Sequence, residues 1–344
     1  MVKVVLNEFG RQCLVRTEMD VSKCSSFLKV VERTDKLPVD YDGYDNFKDK
    51  VYYMVTHDGA EKLGFVLRFA IDEMVRVNSD LFQELFTIDE IEHEIRFKSH
   101  DFEERNRLLD ELALELYHKS TLKEIKGWRD EKYPVYVDKN LYILVERSMA
   151  GALGIVTYGI HINGYTVEKS TNEIKFWIPR RSKSKQTWPN MLDNIIAGGL
   201  AYPYGVHETV LKESMEEANL SKSIVEKYIT PVGLVSYLHY SNDIRTDTFD
   251  EEKSFVVGEV EHLFDMKLPE DVIPRPNDGE VESFQLMSLQ EVIYALFNDE
   301  FKPNSGLIML EFLIRHGFVH AENEPNYNEI ITKMHRKLPF PVRN

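Results

Sequence analysis

Glu213, Glu216 and Glu217 recur at spacings of three and four within Lys212-Glu213-Ser214-Met215-Glu216-Glu217-Ala218-Asn219-Leu220. On a helix such positions share one face, so the three carboxylates project together and repel. A chain that keeps this pattern either leaves the face in solvent or sets a hard divalent cation on it. Carboxylate oxygens are the ligands Mg²⁺ takes, alongside waters and phosphates. Val210, Leu211 and Ala218 are free to pack elsewhere on the same helix. Asn219 tolerates the left-handed conformation that closes many helices.

Among 58 acidic residues, a solvated face accounts for the glutamates taken alone. Two neighbouring features favour the cation. Gly198 and Gly199 precede the helix and permit close backbone approach. A second acidic pair, Glu280 and Glu282, follows in Asp278-Gly279-Glu280-Val281-Glu282, at a turn entering a strand. The charge balance is 42 − 58 = −16, which repels nucleic-acid backbones at long range. An anionic small molecule therefore needs a bound cation or a local basic patch. Lys175, Arg180, Arg181, Lys183 and Lys185 supply such a run, with Arg181 and Lys185 the better candidates for holding phosphate oxygens. The alternative for this run is a solvated strand edge, where lysine blunts edge pairing.

The first 150 residues are rich in helix-period segments. Phe65, Leu67, Phe69, Ile71, Met74 and Val75 form one apolar stretch, and Leu108, Leu109, Leu112, Leu114 and Leu116 another; both read as packing faces. Gly127 to Pro134 reads as a turn leading into the strand-like Val135-Tyr136-Val137. Beyond Gly154 the texture changes. Residues 174–178, 232–240, 255–268 and 281–287 are strand candidates. Ser288 to Glu291 is a capping box, and 307–316 reads as a last helix stopped by Gly317. The class is α/β, with a boundary near residue 150. The two cysteines, Cys13 and Cys24, are too few for a disulfide framework or a cysteine-rich zinc site. No run reaches the ~20 apolar residues of a membrane span, and the cytoplasm is the default location.

The glycine and the helix together resemble the Nudix hydrolase signature, a glycine followed by a helix reading Arg-Glu-x-x-Glu-Glu-x-Gly. Gly198, Glu213, Glu216 and Glu217 match it. Tyr204, Lys212, Ser214 and Asn219 depart from it, and Lys212 lacks the planar fork with which arginine holds a carboxylate. Gly127-Trp128-Arg129, Tyr158 to Tyr165, Trp177 to Ser182, Asp193-Asn194, Asp278 to Glu282 and Lys302-Pro303-Asn304 narrow the resemblance. They are similar to a fungal and plant Nudix group with an extra N-terminal domain, some of whose members are fused to thiamine pyrophosphokinase. In that group Asn190 stands where glycine is usual, a position suited to positive φ.

The resemblance implies a Nudix α/β/α sandwich over 151–344 behind an α+β domain over 1–150. It implies hydrolysis of oxidised or deaminated thiamine diphosphate analogues, such as oxothiamine and oxythiamine diphosphates, to monophosphates and phosphate, as metabolite repair. Glu213, Glu216, Glu217 and the Gly198 carbonyl are then candidate ligands of Mg²⁺, with Mn²⁺ as an alternative. Glu216 or Glu282 orients or deprotonates the attacking water. Arg181 and Lys185 hold the diphosphate, and Trp128 and Arg129 are candidates for the substrate ring, against a packing role. The expected partner is a small-molecule diphosphate, with no nucleic acid and no membrane. His161, His239 and His316 lack metal-ligand spacing and read as structural. The rivals are hydrolysis of another diphosphate, such as a nucleoside diphosphate derivative, and a catalytically inactive Nudix binding module. An isopentenyl-diphosphate isomerase is a remote third, because it needs a site cysteine and both cysteines lie far upstream.

Overall fold

Short apolar runs punctuated by turns organise the first half of the chain into sheet as well as helix. The computed structural model describes residues 2–22 and 25–343. A hairpin of β1 (Lys3–Leu6) and β2 (Gln12–Val15) comes first. A four-stranded sheet follows, built from β3 (Val51–Val55), β4 (Lys62–Leu67), β5 (Phe86–Asp89) and β6 (Glu94–Phe97) in the order β4-β3-β6-β5. Helices Arg68–Val77, Ser79–Leu85 and Phe102–Lys119 pack together beside it. The longest of these buries Leu108, Leu109, Leu112 and Leu116 and leaves Leu114 exposed. Phe65 and Leu67 lie on β4 rather than on a helix, so the dense apolar stretch is a strand running into a helix. A second hairpin, β7 (Lys132–Val137) and β8 (Asn140–Glu146), ends this half.

The second half is built on a six-stranded mixed sheet. Its strands are β9 (Val156–Val167), β10 (Ile174–Arg181), β11 (Ile196–Gly199), β12 (Ile229–His239), β13 (Val257–Lys267) and β14 (Val281–Ser288). Their order is β12-β13-β9-β10-β14, with β11 paired to the other end of β9. β9 and β13 run parallel, and the remaining pairs are antiparallel. Val210, Ala218 and Val225 of helices Val206–Ala218 and Lys222–Tyr228 pack in one core with Ile160 and Ile162 of β9. Val292, Leu296, Leu310 and Phe312 of helices Leu289–Phe297 and Pro303–Arg315 pack in a second core with Phe176 and Ile178 of β10. The architecture is an α/β/α sandwich.

Local expectations hold where a short motif dictates them. Ser288 and Glu291 form the capping box, Gly317 takes φ 75° after the Pro303–Arg315 helix, and Asn190 takes φ 61°. One more helix, Tyr327–Met334, follows the one expected to be last. β10 lies between β9 and β14, so Lys175, Arg180 and Arg181 are not on a strand edge, and Lys183 and Lys185 follow in the loop after the strand. Nor does a cut at residue 150 separate the cores: Val2, Leu14, Phe27, Val30 and Val31 are buried among the C-terminal helices. Cys13 is a half-buried free thiol, and Cys24 lies outside the described residues. Among the described residues, no helix is long and apolar enough to cross a membrane.

The four-stranded sheet joins the sandwich backbone to backbone. Phe65 N–H donates to the Gly154 carbonyl at 3.2 Å, and Gly64 bridges to Ile155. A Cβ on Gly64 would lie 2.2 Å from the Leu153 carbonyl oxygen, an overlap only backbone movement relieves. Gly64→Ala is expected to destabilise the protein by about 1–3 kcal/mol, the usual cost of overpacking. Urea unfolding measures this, and an unchanged midpoint would show that the two halves are not in such close contact.

Candidate active site

Strand register assembles the site. Gly159 on β9 is paired with Glu261 of the parallel β13 on one side and Gly199 of β11 on the other. Because residue 159 has no side chain, the Glu261 carboxylate extends across the strand. A Cβ there would sit 2.1 Å from Glu261 Oε2 and 3.2 Å from the Gly198 carbonyl oxygen. The Val206–Ala218 helix packs on β11 and lays Glu213 on Gly198, where a Cβ would meet Glu213 Cδ at 2.6 Å. One turn on, buried Glu217 accepts a hydrogen bond from Ala197 N–H at 2.9 Å. The helix starts with Gly205 N–H donating to Glu208 Oε2 at 2.9 Å. It ends at Asn219 in the left-handed conformation, as its sequence suggested.

The carboxylates differ in environment. Burial, reinforced by the nearby Asp193, Glu213 and Glu280, pushes Glu217 well above the usual carboxylate range. Burial also raises Glu213, against the opposing pull of Lys212. Lys212 Nζ lies 3.2 Å from Glu213 and 3.3 Å from Glu216, bridging the two. Glu216 stands half-exposed at the rim. Burial would raise Glu261 too, but His161 and Lys302 reverse this and hold it low. His161 Nε2 is 3.7 Å from Glu261 Oε1, while Glu261 Oε2 is buried without a hydrogen-bond partner. Buried acceptors are nearly always satisfied, and an orphaned carboxylate oxygen beside other carboxylates suits a hard cation. Among the described residues, no group of three or more His, Cys, Asp or Glu side chains is placed so as to hold a metal ion. A bound ion would therefore need these carboxylates to turn toward it and would complete its shell with backbone, water or substrate oxygens.

Behind these groups lies a buried anchor. Arg181 Nη1 donates to Asp193 Oδ2 at 2.7 Å, and its other nitrogens donate to the Trp188 and Thr187 carbonyls at 3.0 Å. The Ser305 hydroxyl and the Asn194 N–H donate to Asp193 Oδ1. Burial alone would raise the Asp193 carboxyl, but Lys302, Arg181 and Ser305 hold it at about 2. The cavity in front has a volume of about 530 Å³. Its rim carries Lys185, 2.5 Å from Glu280, and Arg147, 2.8 Å from Glu131.

The geometry sorts the sequence-derived candidates. Gly198, Glu213, Glu216, Glu217, Arg129, Arg181 and Lys185 all line this cavity. Arg181 does so with its guanidinium already committed to Asp193 and two carbonyls, which fits a positioning role better than contact with substrate. Trp128 is outside the lining; its ring packs 5.4 Å from Tyr117, the packing alternative. Of the acidic pair, Glu280 lines the cavity. Glu282 is exposed and 3.4 Å from Lys183; Glu280 precedes β14 in the turn, so the two glutamates do not share a strand face. Sequence reasoning passed over Glu259 and Glu261, whose signal was a two-residue spacing on a strand. It gave Arg147 and Lys302 no role beyond the motif resemblance, and it read His161, whose Nε2 faces Glu261, as structural.

Comparison with known proteins bears on this arrangement. A family model described as "NUDIX domain" matches residues 163–307, and one described as "Domain of unknown function (DUF4743)" matches 62–157. The Saccharomyces cerevisiae protein YJR142W is 58% identical over 343 residues, covering 100% of both chains. "Nudix hydrolase 20, chloroplastic" of Arabidopsis thaliana is 35% identical over 285 residues, 77% of this chain and 72% of that one. The crystal structure of DR0079 from Deinococcus radiodurans matches with a TM-score of 0.39 at 16% identity, covering 55% of this chain and 100% of that one.

Asp193 gives a pH-dependent prediction. Its carboxyl is held at about 2 in the folded protein, against roughly 3.9 unfolded. Its contribution is therefore fully present above about pH 4 and is lost as pH falls through about 2. Asp193→Asn leaves Arg181 buried without its partner and is expected to cost about 3–5 kcal/mol at neutral pH. In thermal melts this deficit should shrink between about pH 4 and pH 2. A deficit unchanged down to pH 2 would mean that shape rather than charge is lost.

Proposed function

The chain belongs to the Nudix hydrolase family, and from that premise we propose that it hydrolyses oxidised or deaminated thiamine diphosphate analogues in a divalent-metal-dependent reaction. Nudix hydrolases generally use divalent metals, typically Mg²⁺, and the observation that carries the metal reading here is the orphaned Glu261 oxygen, which lies over Gly159 in the cavity that Glu213 and Glu217 also line. Glu213, Glu216, Glu217 and the Gly198 carbonyl, joined by Glu261, would hold Mg²⁺, with Mn²⁺ as an alternative. When bound, the cation screens the diphosphate and polarises the phosphorus–oxygen bond that breaks.

The chain's own groups do the rest. Lys185 and Arg129 bind diphosphate oxygens through charge-assisted hydrogen bonds. Arg181 fixes the wall behind them through Asp193. Glu280 takes the place first considered for Glu282 and accepts the proton of the attacking water, with Glu216 as the alternative base. Lys185 and the neighbouring Arg129 and Arg181 hold Glu280 below its ordinary range against the effect of burial, which keeps it ionised while making it a weaker base than a free carboxylate. One water is consumed, one diphosphate bond breaks, and a monophosphate and inorganic phosphate leave. The substrate reading rests on the motif resemblance from Trp128 onward. Oxothiamine has a neutral ring where thiamine has a cationic thiazolium, and oxythiamine replaces an amino donor with a carbonyl. A site matched to one form leaves a polar group unpaired with the other, worth roughly 1–3 kcal/mol of selectivity.

Mg²⁺ is expected to raise the melting temperature, since a ligand of the native state stabilises it. Glu217→Gln should remove most of that shift and lower turnover by about 100-fold or more. The metal-free variant should melt no lower than wild type, because like-charge repulsion is relieved. Normal turnover in Glu217→Gln would sink the assignment. For substrate choice, kcat/KM is compared for oxothiamine, oxythiamine and thiamine diphosphates, with ADP-ribose and dinucleoside polyphosphates as controls. Both analogues should exceed thiamine diphosphate by about one to two decades. A preference for a nucleotide control would overturn the thiamine reading and leave the hydrolase reading standing.

A further inference from the structure

Beside the carboxylate cavity lies a second one, of about 370 Å³, with a different lining. Pro134 and Tyr136 of β7 form one wall, and Tyr158 of β9 is shared between the two cavities. Tyr202 and Tyr204, both 48% exposed, stand at the junction. Tyrosines that stay half-exposed where two cavities share a wall are poorly explained by core packing. Arg343 completes the pocket. Its N–H donates to Tyr158 Oη at 2.8 Å, and its guanidinium sits 5.3 Å from the centre of the Tyr136 ring. No carboxylate is among the residues lining this pocket.

We propose that this tyrosine pocket receives the planar ring of the substrate while the diphosphate lies in the carboxylate cavity, and that Arg343 selects a neutral ring over a cationic one. The proposal rests on the hydrolase reading above and extends it to specificity. Flat aromatic walls suit a flat heteroaromatic ring, by offset stacking or edge contact. Tyrosine faces would also attract a cation, but the Tyr136 face is already occupied by Arg343. A second positive charge entering the pocket meets a like charge and no carboxylate. A neutral ring loses nothing there. Oxythiamine keeps the cationic thiazolium, so the filter accounts for the preference for oxothiamine alone, and a preference for oxythiamine has to come from the amino-to-carbonyl exchange on its other ring. β7 belongs to the half of the chain that precedes the sandwich, so that half takes part in choosing the ring as well as in packing.

The test uses the full chain with Mg²⁺ and three substrates: oxothiamine diphosphate with its neutral ring, thiamine diphosphate with its cationic ring, and ringless n-butyl diphosphate. Arg343→Gln, at an exposed position, should raise kcat/KM for thiamine diphosphate by about tenfold relative to oxothiamine diphosphate. Tyr136→Leu keeps apolar bulk but removes the aromatic face. It should raise KM for both ring-bearing substrates by about three- to tenfold, with n-butyl diphosphate changed less than twofold. The pocket is overturned if Tyr136→Leu moves all three substrates equally, or if wild type cleaves n-butyl diphosphate as well as the ring-bearing pair. The charge filter is overturned if Arg343→Gln leaves the neutral-to-cationic ratio unchanged. Failure of the hydrolase reading appears separately, as full turnover in Glu217→Gln.

Discussion

Gathering buried carboxylates around a glycine backbone is the constraint from which the rest of this structure follows. Glu213, Glu217 and Glu261 lose hydration, Glu213 and Glu217 repel each other, and burial raises those two. Such a group stays together only if each member is fixed by something stiffer than its side chain. β13 fixes Glu261 by pairing with β9, the helix on β11 fixes Glu213 and Glu217, and Ala197 N–H pins the Glu217 carboxylate. The bare backbone at Gly159 and Gly198 is what lets the groups meet. A side chain at either place would occupy the volume of a carboxylate. The anchor of Asp193, Arg181 and Ser305 adds a second layer, tying β10 and the Pro303–Arg315 helix to the segment that leads into β11.

The charge distribution follows the same logic. A chain with net charge −16 repels a diphosphate at long range, so attraction has to be local. Arg129 and Arg147 come from the first half of the chain, Arg181, Lys185 and Lys302 from the second, and all five line one cavity. The rim is therefore a product of how the two halves dock. Their shared core, running from Phe65 through Leu153 to Ile160, keeps those cations at fixed distances from the carboxylates.

What the sequence revealed depended on how local the determining physics was. Helical spacing placed Glu213, Glu216 and Glu217 correctly on one helix because i, i+3 and i+4 need no tertiary knowledge. The same holds for the capping box at Ser288 and the left-handed Asn219. β9, the central strand, escaped because His161, Asn163 and Gly164 interrupt its apolar pattern. In the fold their polar atoms are satisfied by distant groups: His161 Nδ1 pairs with Asn194 Oδ1 at 2.7 Å, and Asn194 Nδ2 donates to Asn163 at 2.9 Å. Choosing Glu280 over Glu282 needs the handedness of one turn, and Glu261 needs the register of a parallel pair. Such non-local facts leave only a faint trace, here a two-residue spacing of glutamates on β13. Arg181 was found by charge, but only its partners reveal that it lines the cavity with a guanidinium already committed to Asp193 and two carbonyls.

Lys212 brings these threads together. Where the family signature has arginine, a planar fork would grip one carboxylate through two parallel hydrogen bonds. Lysine is a compact point charge on a flexible stem, and here it spans two carboxylates, Glu213 and Glu216, at nearly equal distances. Burial works against its charge, yet the two glutamates outweigh burial and raise it. A bridging ammonium neutralises the helix face without fixing the orientation of either carboxylate. Both glutamates keep oxygens that can turn toward a cation, while the distance between them stays limited by their common partner. The departure from the signature thus retains the electrostatic work of the arginine and gives up only its directional grip. That directional work falls to the glycine backbone under Glu213 and the Ala197 hydrogen bond to Glu217.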